Sequence, residues 1–134
     1  MIGLDTNILV RAITKDDVSQ TEKAKKIIAN YKGMGHSLFV NNVTLCELIW
    51  VLKSNYGYEK KRLVEVLCYL ISVEEFCFQN LQIVKQAIDL YDKGKADFAD
   101  YLSFVINQKA GCDATYSFDK QPIIEGIFTN DKRH

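Results

Sequence analysis

The chain opens on Ile2-Gly3-Leu4-Asp5-Thr6-Asn7-Ile8-Leu9-Val10, a short apolar run cut by an acid, a hydroxyl and an amide before apolar residues resume. The pattern predicts a buried strand whose polar end opens directly into a helix. In an open α/β sheet, ligands bind in the crevice beyond the carboxyl ends of the strands. Asp5 is therefore a candidate site residue, and the remaining chain decides which acids accompany it.

The predicted helix runs from Asn7 to about Ile13. Ser19-Gln20-Thr21-Glu22 has capping-box form and starts a second helix, in which Ala24, Ile27, Ile28 and Tyr31 recur at helical spacing until Gly33 and Gly35. Leu38-Phe39-Val40 is a second strand. A strongly apolar helix follows from Val43 to about Ser54, with Leu45, Leu48, Ile49, Trp50 and Leu52, and Asn55-Tyr56-Gly57 ends it. Lys60-Lys61-Arg62 opens the next helix, whose face is Leu63, Val66, Leu67, Leu70 and Ile71. Phe76-Cys77-Phe78 is a weak third strand. Helices are predicted from about Leu81 to Tyr91 and from Asp97 to Lys109, separated by the polar segment Asp92-Lys93-Gly94-Lys95. Ala114-Tyr116-Phe118 alternates like a strand ending at Asp119, and Gly126-Ile127-Phe128 is a candidate edge strand. Short strands alternating with such helices predict an α/β fold, a central parallel sheet of about five short strands with helices on both faces.

A chain of 134 residues fits one domain, 1–134, without repeats or linkers. No apolar stretch approaches the roughly 18 residues of a membrane helix. The first apolar run lacks a basic leader, so it is not expected to be a secretory signal. Cys46, Cys68, Cys77 and Cys112 lie 22, 9 and 35 residues apart with only two histidines in the chain. That spacing argues against zinc and for reduced, mostly buried thiols in a cytoplasmic protein.

Five acids stand out by position: Asp5 at the end of the first strand, Glu47 in the helix after the second, Asp97 and Asp100 opening a later helix, and Asp119 after the alternating segment. Each has an ordinary structural explanation. Asp5-Thr6-Asn7 can cap a helix, Thr44 and Glu47 have capping-box spacing, Asp97 and Asp100 suit a helix start, and Asp119 suits a turn. Yet Glu47 and Asp100 are embedded in apolar runs, and acids facing an interior need a partner. No arginine or histidine is interleaved with them. Carboxylates suit a hard cation such as Mg²⁺ or Mn²⁺, and an acid cluster without a nucleophilic Ser or Cys suggests metal-assisted phosphodiester hydrolysis.

The net charge is zero, from 17 basic and 17 acidic residues, which by itself argues against a nucleic-acid partner. With the five candidate acids gathered in a site, 12 acids remain against 17 basic residues. Lys60, Lys61 and Arg62, Lys93 and Lys95, and Lys132-Arg133 at the tail are then candidates for holding phosphates, with solvated surface charge as the ordinary alternative.

Four blocks of the sequence resemble the PIN-domain family: Ile2-Gly3-Leu4-Asp5-Thr6-Asn7, Val43 to Leu52, Ala96-Asp97-Phe98-Ala99-Asp100-Tyr101-Leu102, and Tyr116-Ser117-Phe118-Asp119. Their order and spacing are most similar to VapC-type ribonuclease toxins of toxin–antitoxin pairs. The resemblance implies a Mg²⁺-dependent endoribonuclease, with Mn²⁺ able to substitute. It maps the catalytic acids onto Asp5, Glu47, Asp100 and Asp119, with Asp97 as an accessory metal ligand and Thr6, Asn7 and Ser117 as supporting residues. It further implies an RNA substrate, a VapB-type antitoxin, a homodimer and no membrane association. Two segments depart from the family pattern: Lys120 to Ile127, and Tyr101-Leu102-Ser103-Phe104, which is bulkier than the usual small-residue run. Two other readings compete. A haloacid-dehalogenase-like phosphatase would use Asp5 as nucleophile but usually wants a second acid where Asn7 stands, and a non-cleaving PIN scaffold would bind RNA or protein.

Overall fold

The structure, a computed structural model, describes residues 1–131 and falls into two compact units, Met1–Leu81 and the segment from Gln82 onward. The tail pair Lys132-Arg133 lies outside the described residues. In the first unit, β1 (Ile2–Gly3), β2 (Leu38–Val40) and β3 (Phe76–Phe78) form a parallel sheet in that order. Ile2 faces Leu38 and Gly3 faces Phe39, while Leu38, Phe39 and Val40 face Phe76, Cys77 and Phe78. Being central, β2 is the buried strand, and both Leu38 and Val40 are fully enclosed.

Four helices complete this unit: α1 (Thr6–Thr14), α2 (Val18–Gly33), α3 (Asn42–Tyr56) and α4 (Lys60–Ser72). α1 packs against α2 and α3, and α4 packs against α3. Leu9, Leu45, Leu48, Leu52, Leu63, Leu67 and Leu70 form the core. The start of α2 differs from expectation. Asp17, not Ser19, is the cap, its side chain accepting the Gln20 N–H at 3.0 Å. The buried face of α2 is Thr21 and Ala24, and Ile27 is exposed. α3 likewise begins earlier than the Thr44 capping pattern predicts, because Asn41 caps it by accepting the Thr44 N–H at 2.8 Å. Gly57, with φ 67°, ends α3 in the left-handed conformation that glycine takes without strain. The Tyr56 hydroxyl donates to Asp16 at 2.8 Å, fastening the α1–α2 turn to the end of α3.

The second unit holds α5 (Leu81–Lys93, whose first residue belongs to the first unit), α6 (Phe98–Ala110) and the five-residue α7 (Lys120–Ile124). Tyr91 of α5 meets the rings of Phe98 and Tyr101 of α6 at 5.7 and 6.2 Å.

Two expectations are corrected. The sheet has three strands among the described residues, not about five. In place of strands at 114–118 and 126–128 there is one parallel bridge, from Tyr116 to Thr129 just beyond the second segment, with the Ser117 N–H donating to the Thr129 carbonyl at 2.9 Å. Lys120–Ile124 coils into α7 and Gly126 turns at φ 79°, so too few extended residues remain for a ladder. The cysteines are free, but Cys68, Cys77 and Cys112 are exposed and Cys46 is half-buried. Cys68 follows the enclosed Leu67 and so falls on the outer face of α4. Among the described residues no helix is long and apolar enough to cross a membrane.

Packing at α4 and exposure on α3 give a stability test. Leu67→Ala, at a position with no exposed surface, should lose about 2–5 kcal/mol in urea unfolding. Trp50→Ala, at 64% exposure, should stay within about 0.5 kcal/mol of the parent protein.

Candidate functional site

Parallel pairing sets the carboxyl ends of β1, β2 and β3 on one edge of the first unit. Asp5 follows β1 there as the N-cap of α1, with extended backbone, an exposed side chain and no capping hydrogen bond. Thr6, only 6% exposed, donates its hydroxyl to Glu47 Oε2 at 3.2 Å. One bond thus joins the residue after Asp5 to the acid on the second turn of α3. At the same edge the Asn42 N–H donates to Gln79 Oε1 at 2.7 Å, tying the start of α3 to the residue after β3. Asn42 Oδ1 is buried without a hydrogen-bond partner. Neither Asn42 nor Gln79 is marked as a site candidate by the sequence, because their pairing is a contact 37 positions apart in the chain.

Glu47 is not the inward-facing acid that its apolar flanks suggest. Helical periodicity turns Leu45, Leu48, Ile49 and Leu52 inward and leaves Glu47, Val43 and Trp50 exposed together. Asn7 is exposed on the first turn of α1.

The second unit holds Asp97, Asp100 and Asp119. Asp97 caps α6, and the two aspartates form a capping box in which the Asp97 N–H donates to Asp100 Oδ2 at 3.2 Å. The structural explanation of this pair is therefore realised. Asp100 is nevertheless set apart electrostatically. Burial raises its carboxyl above the ordinary range, the Asp97 N–H works against the rise, and the charges of Asp97, Asp119 and Glu125 add to it. Asp119 is exposed at the head of α7, its N–H donating to Ser117 Oγ at 3.0 Å. Ser117 thus supports the backbone of Asp119. Phe118, between them, is 98% exposed.

Glu125, at the other end of α7, was not among the sequence candidates. Its carboxylate accepts from the Tyr101 hydroxyl, from the Lys95 N–H at 3.1 Å and from Gln121 Nε2 at 2.7 Å. Burial opposes its charge, but the bonds from Tyr101, Gln121 and the Lys95 and Ala96 backbone outweigh it and hold its carboxyl below the usual value. Burial and the Glu125 contact push the Tyr101 phenol up to about 12. Both residues fall in the two segments that depart from the family pattern.

The donor chemistry fits a hard divalent cation. Every candidate ligand is a carboxylate, and Asp100 stands among like charges whose repulsion a cation would relieve. Among the described residues no three His, Cys, Asp or Glu side chains are already gathered as a group able to hold a metal ion. Of the basic candidates, Lys60, Lys61 and Arg62 open α4, with the Arg62 guanidinium 3.9 Å from the centre of the Tyr58 ring. Lys93 lies in the last turn of α5, and Lys95 is exposed.

One candidate acid follows a strand of the parallel sheet and three stand at helix starts, and comparison with known proteins gives the family. The family model described as PIN domain matches residues 2–132, and the chain belongs to the PIN-domain family. It is also similar to the VapC ribonuclease of Aquifex aeolicus (strain VF5), 26% identical over 118 residues that span 88% of this chain and 87% of that protein. No solved structure matches.

The raised carboxyl of Asp100 has a signed consequence. Over the interval from the ordinary aspartate value up to the raised one, the folded state binds more protons than the unfolded state, so stability falls as pH rises through that interval. In metal-chelated protein, Asp100→Asn should be more stable than the parent at neutral pH, and the difference should vanish below the ordinary aspartate range. Urea midpoints at the two pH values check this.

Proposed function

We propose that this protein is a Mg²⁺-dependent endoribonuclease, the toxin of a VapBC-type pair, working as a single PIN domain over residues 1–134. The observation that carries the reading is the PIN-domain match over residues 2–132, a span that contains Asp5, Glu47, Asp97, Asp100 and Asp119. Similarity to a VapC ribonuclease supports RNA as the substrate and a VapB-type antitoxin as the partner. A homodimer, a cytoplasmic location and helices on both faces of the sheet complete the proposal.

In this reading Asp5, Glu47, Asp100 and Asp119 are the catalytic acids and, with Asp97, the candidate ligands for Mg²⁺ or Mn²⁺. When bound, the cation supplies a water of lowered pKa and charge stabilisation for the leaving oxygen. Thr6 fixes the rotamer of Glu47 through its hydroxyl, leaving Glu47 Oε1 for other work. The Asp97 N–H orients the Asp100 carboxylate through Oδ2. Ser117 holds the turn that presents Asp119. Lys60, Lys61, Arg62, Lys93 and Lys95 are the proposed contacts for RNA phosphates.

Antitoxin-free protein should cleave RNA when Mg²⁺ or Mn²⁺ is supplied, and Asp5→Ala and Asp100→Asn should each reduce cleavage to background while remaining folded. Parent-level cleavage in both variants would sink the assignment. The melting temperature should also rise with Mn²⁺, by the equivalent of about 2.7 kcal/mol at a hundredfold excess over Kd. NaCl of equal ionic strength should leave it unchanged.

A further inference from the structure

We propose that Tyr101 and Glu125 are positioning residues, a hydrogen-bonded clamp that fixes α7 and the loop before α6 and thereby sets where Asp97, Asp100 and Asp119 stand for metal binding. The inference rests on the metal-dependent nuclease reading and deepens it.

The clamp joins the two segments that carry the acids of the second unit. Glu125 closes α7, the helix that Asp119 heads. Tyr101 lies on the first turns of α6, one residue beyond Asp100, and is 1% exposed. The Tyr101 hydroxyl donates to Glu125 Oε1 and accepts the Ala96 N–H at 3.0 Å. Glu125 Oε2 accepts the Lys95 N–H at 3.1 Å and Gln121 Nε2 at 2.7 Å. The two residues preceding Asp97 are therefore held through their backbone by side chains from α6 and α7. Any shift of α7 against α6 would break these bonds and change the distance from Asp119 to the capping pair.

Two further observations separate this from routine packing. Gly94 borders the clamp so closely that a Cβ there would collide with the Tyr101 hydroxyl and Glu125 Oε1. The loop thus has room for the clamp only because this position lacks a side chain. Both oxygens of Glu125 are also committed to donors of the protein, so this acid is a support for the neighbouring carboxylates and not another ligand. Partners bonded directly to ligating carboxylates typically carry 10–100-fold of metal affinity, and the clamp acts on these aspartates one step removed, through the Lys95–Ala96 backbone and α7.

The test is calorimetric titration of the full chain with Mn²⁺, alongside RNA cleavage and thermal melting. Tyr101→Phe keeps the ring and removes the hydroxyl. It should weaken Mn²⁺ binding about tenfold, the lower end of that range, and lower kcat at limiting Mn²⁺, with KM for RNA unchanged. Glu125→Ala should do the same, and Glu125→Gln, which retains one acceptor oxygen, should recover part of the loss. Val105→Ala, a buried α6 position outside the clamp, should lower the melting temperature without changing Mn²⁺ affinity. Parent-level Mn²⁺ affinity in Tyr101→Phe, or an equal loss in Val105→Ala, overturns the clamp and leaves the nuclease reading intact. A parent protein that neither binds Mn²⁺ nor cuts RNA overturns the nuclease reading, and the clamp with it.

Discussion

Because β2 pairs in parallel with β1 on one side and β3 on the other, all three strands of the first unit end on the same edge. Most of that unit's functional geometry follows from this pairing. Asp5, Asn41 and Gln79 each lie within two residues of a strand end, so the chain delivers polar groups to one edge without long loops. The pairing is held by burial, since Leu38 and Val40 of the central strand are wholly enclosed between their neighbours and the helices. Turning β2 around would send α3, and Glu47 with it, away from Asp5. The Thr6–Glu47 hydrogen bond depends on the direction of the strands as much as on the residues that make it.

Several acids here combine ordinary helix work with a candidate chemical role. Asp5, Asp97 and Asp119 are all N-cap residues, and Asp100 completes a capping box. A helix start suits both purposes. Its unpaired N–H groups can hold a carboxylate in a defined direction, as in the Asp97–Asp100 box though not at Asp5 or Asp119, and the positive end of the dipole lessens the cost of keeping it charged. Capping and metal binding are thus compatible for Asp100, whose Oδ2 is taken by the Asp97 N–H while its carboxyl still registers the charges of Asp97, Asp119 and Glu125.

Much of this was legible in the sequence because it depends on local periodicity. Six of the helices, α1 to α6, fall where apolar spacing and stop signals put them, with boundaries shifted by up to three residues where Asp17 and Asn41 cap in place of Ser19 and Thr44, whereas α7 is not among the predicted elements. Glu47 shows where local reading fails. Apolar neighbours in the chain suggested an inward acid, but on a helix those neighbours point elsewhere. The two missing strands have a similar cause. Residues 114–118 alternate as a strand should, but a strand exists only through its partner, and α7 with the Gly126 turn leaves a single bridge.

By itself the sequence determined the α/β class, the order of elements as far as α6 and the candidate acids, since these follow from residue type and spacing along the chain. Tertiary structure decided which of those acids are exposed or half-buried, that Thr6 engages Glu47, and that Tyr101 and Glu125 fasten the loop before Asp97. Those outcomes depend on contacts between residues as much as 41 positions apart, which chain-local spacing does not encode. Glu125 read in sequence is one more acid near a turn. In the folded chain, the three donors aimed at its carboxylate give it a role.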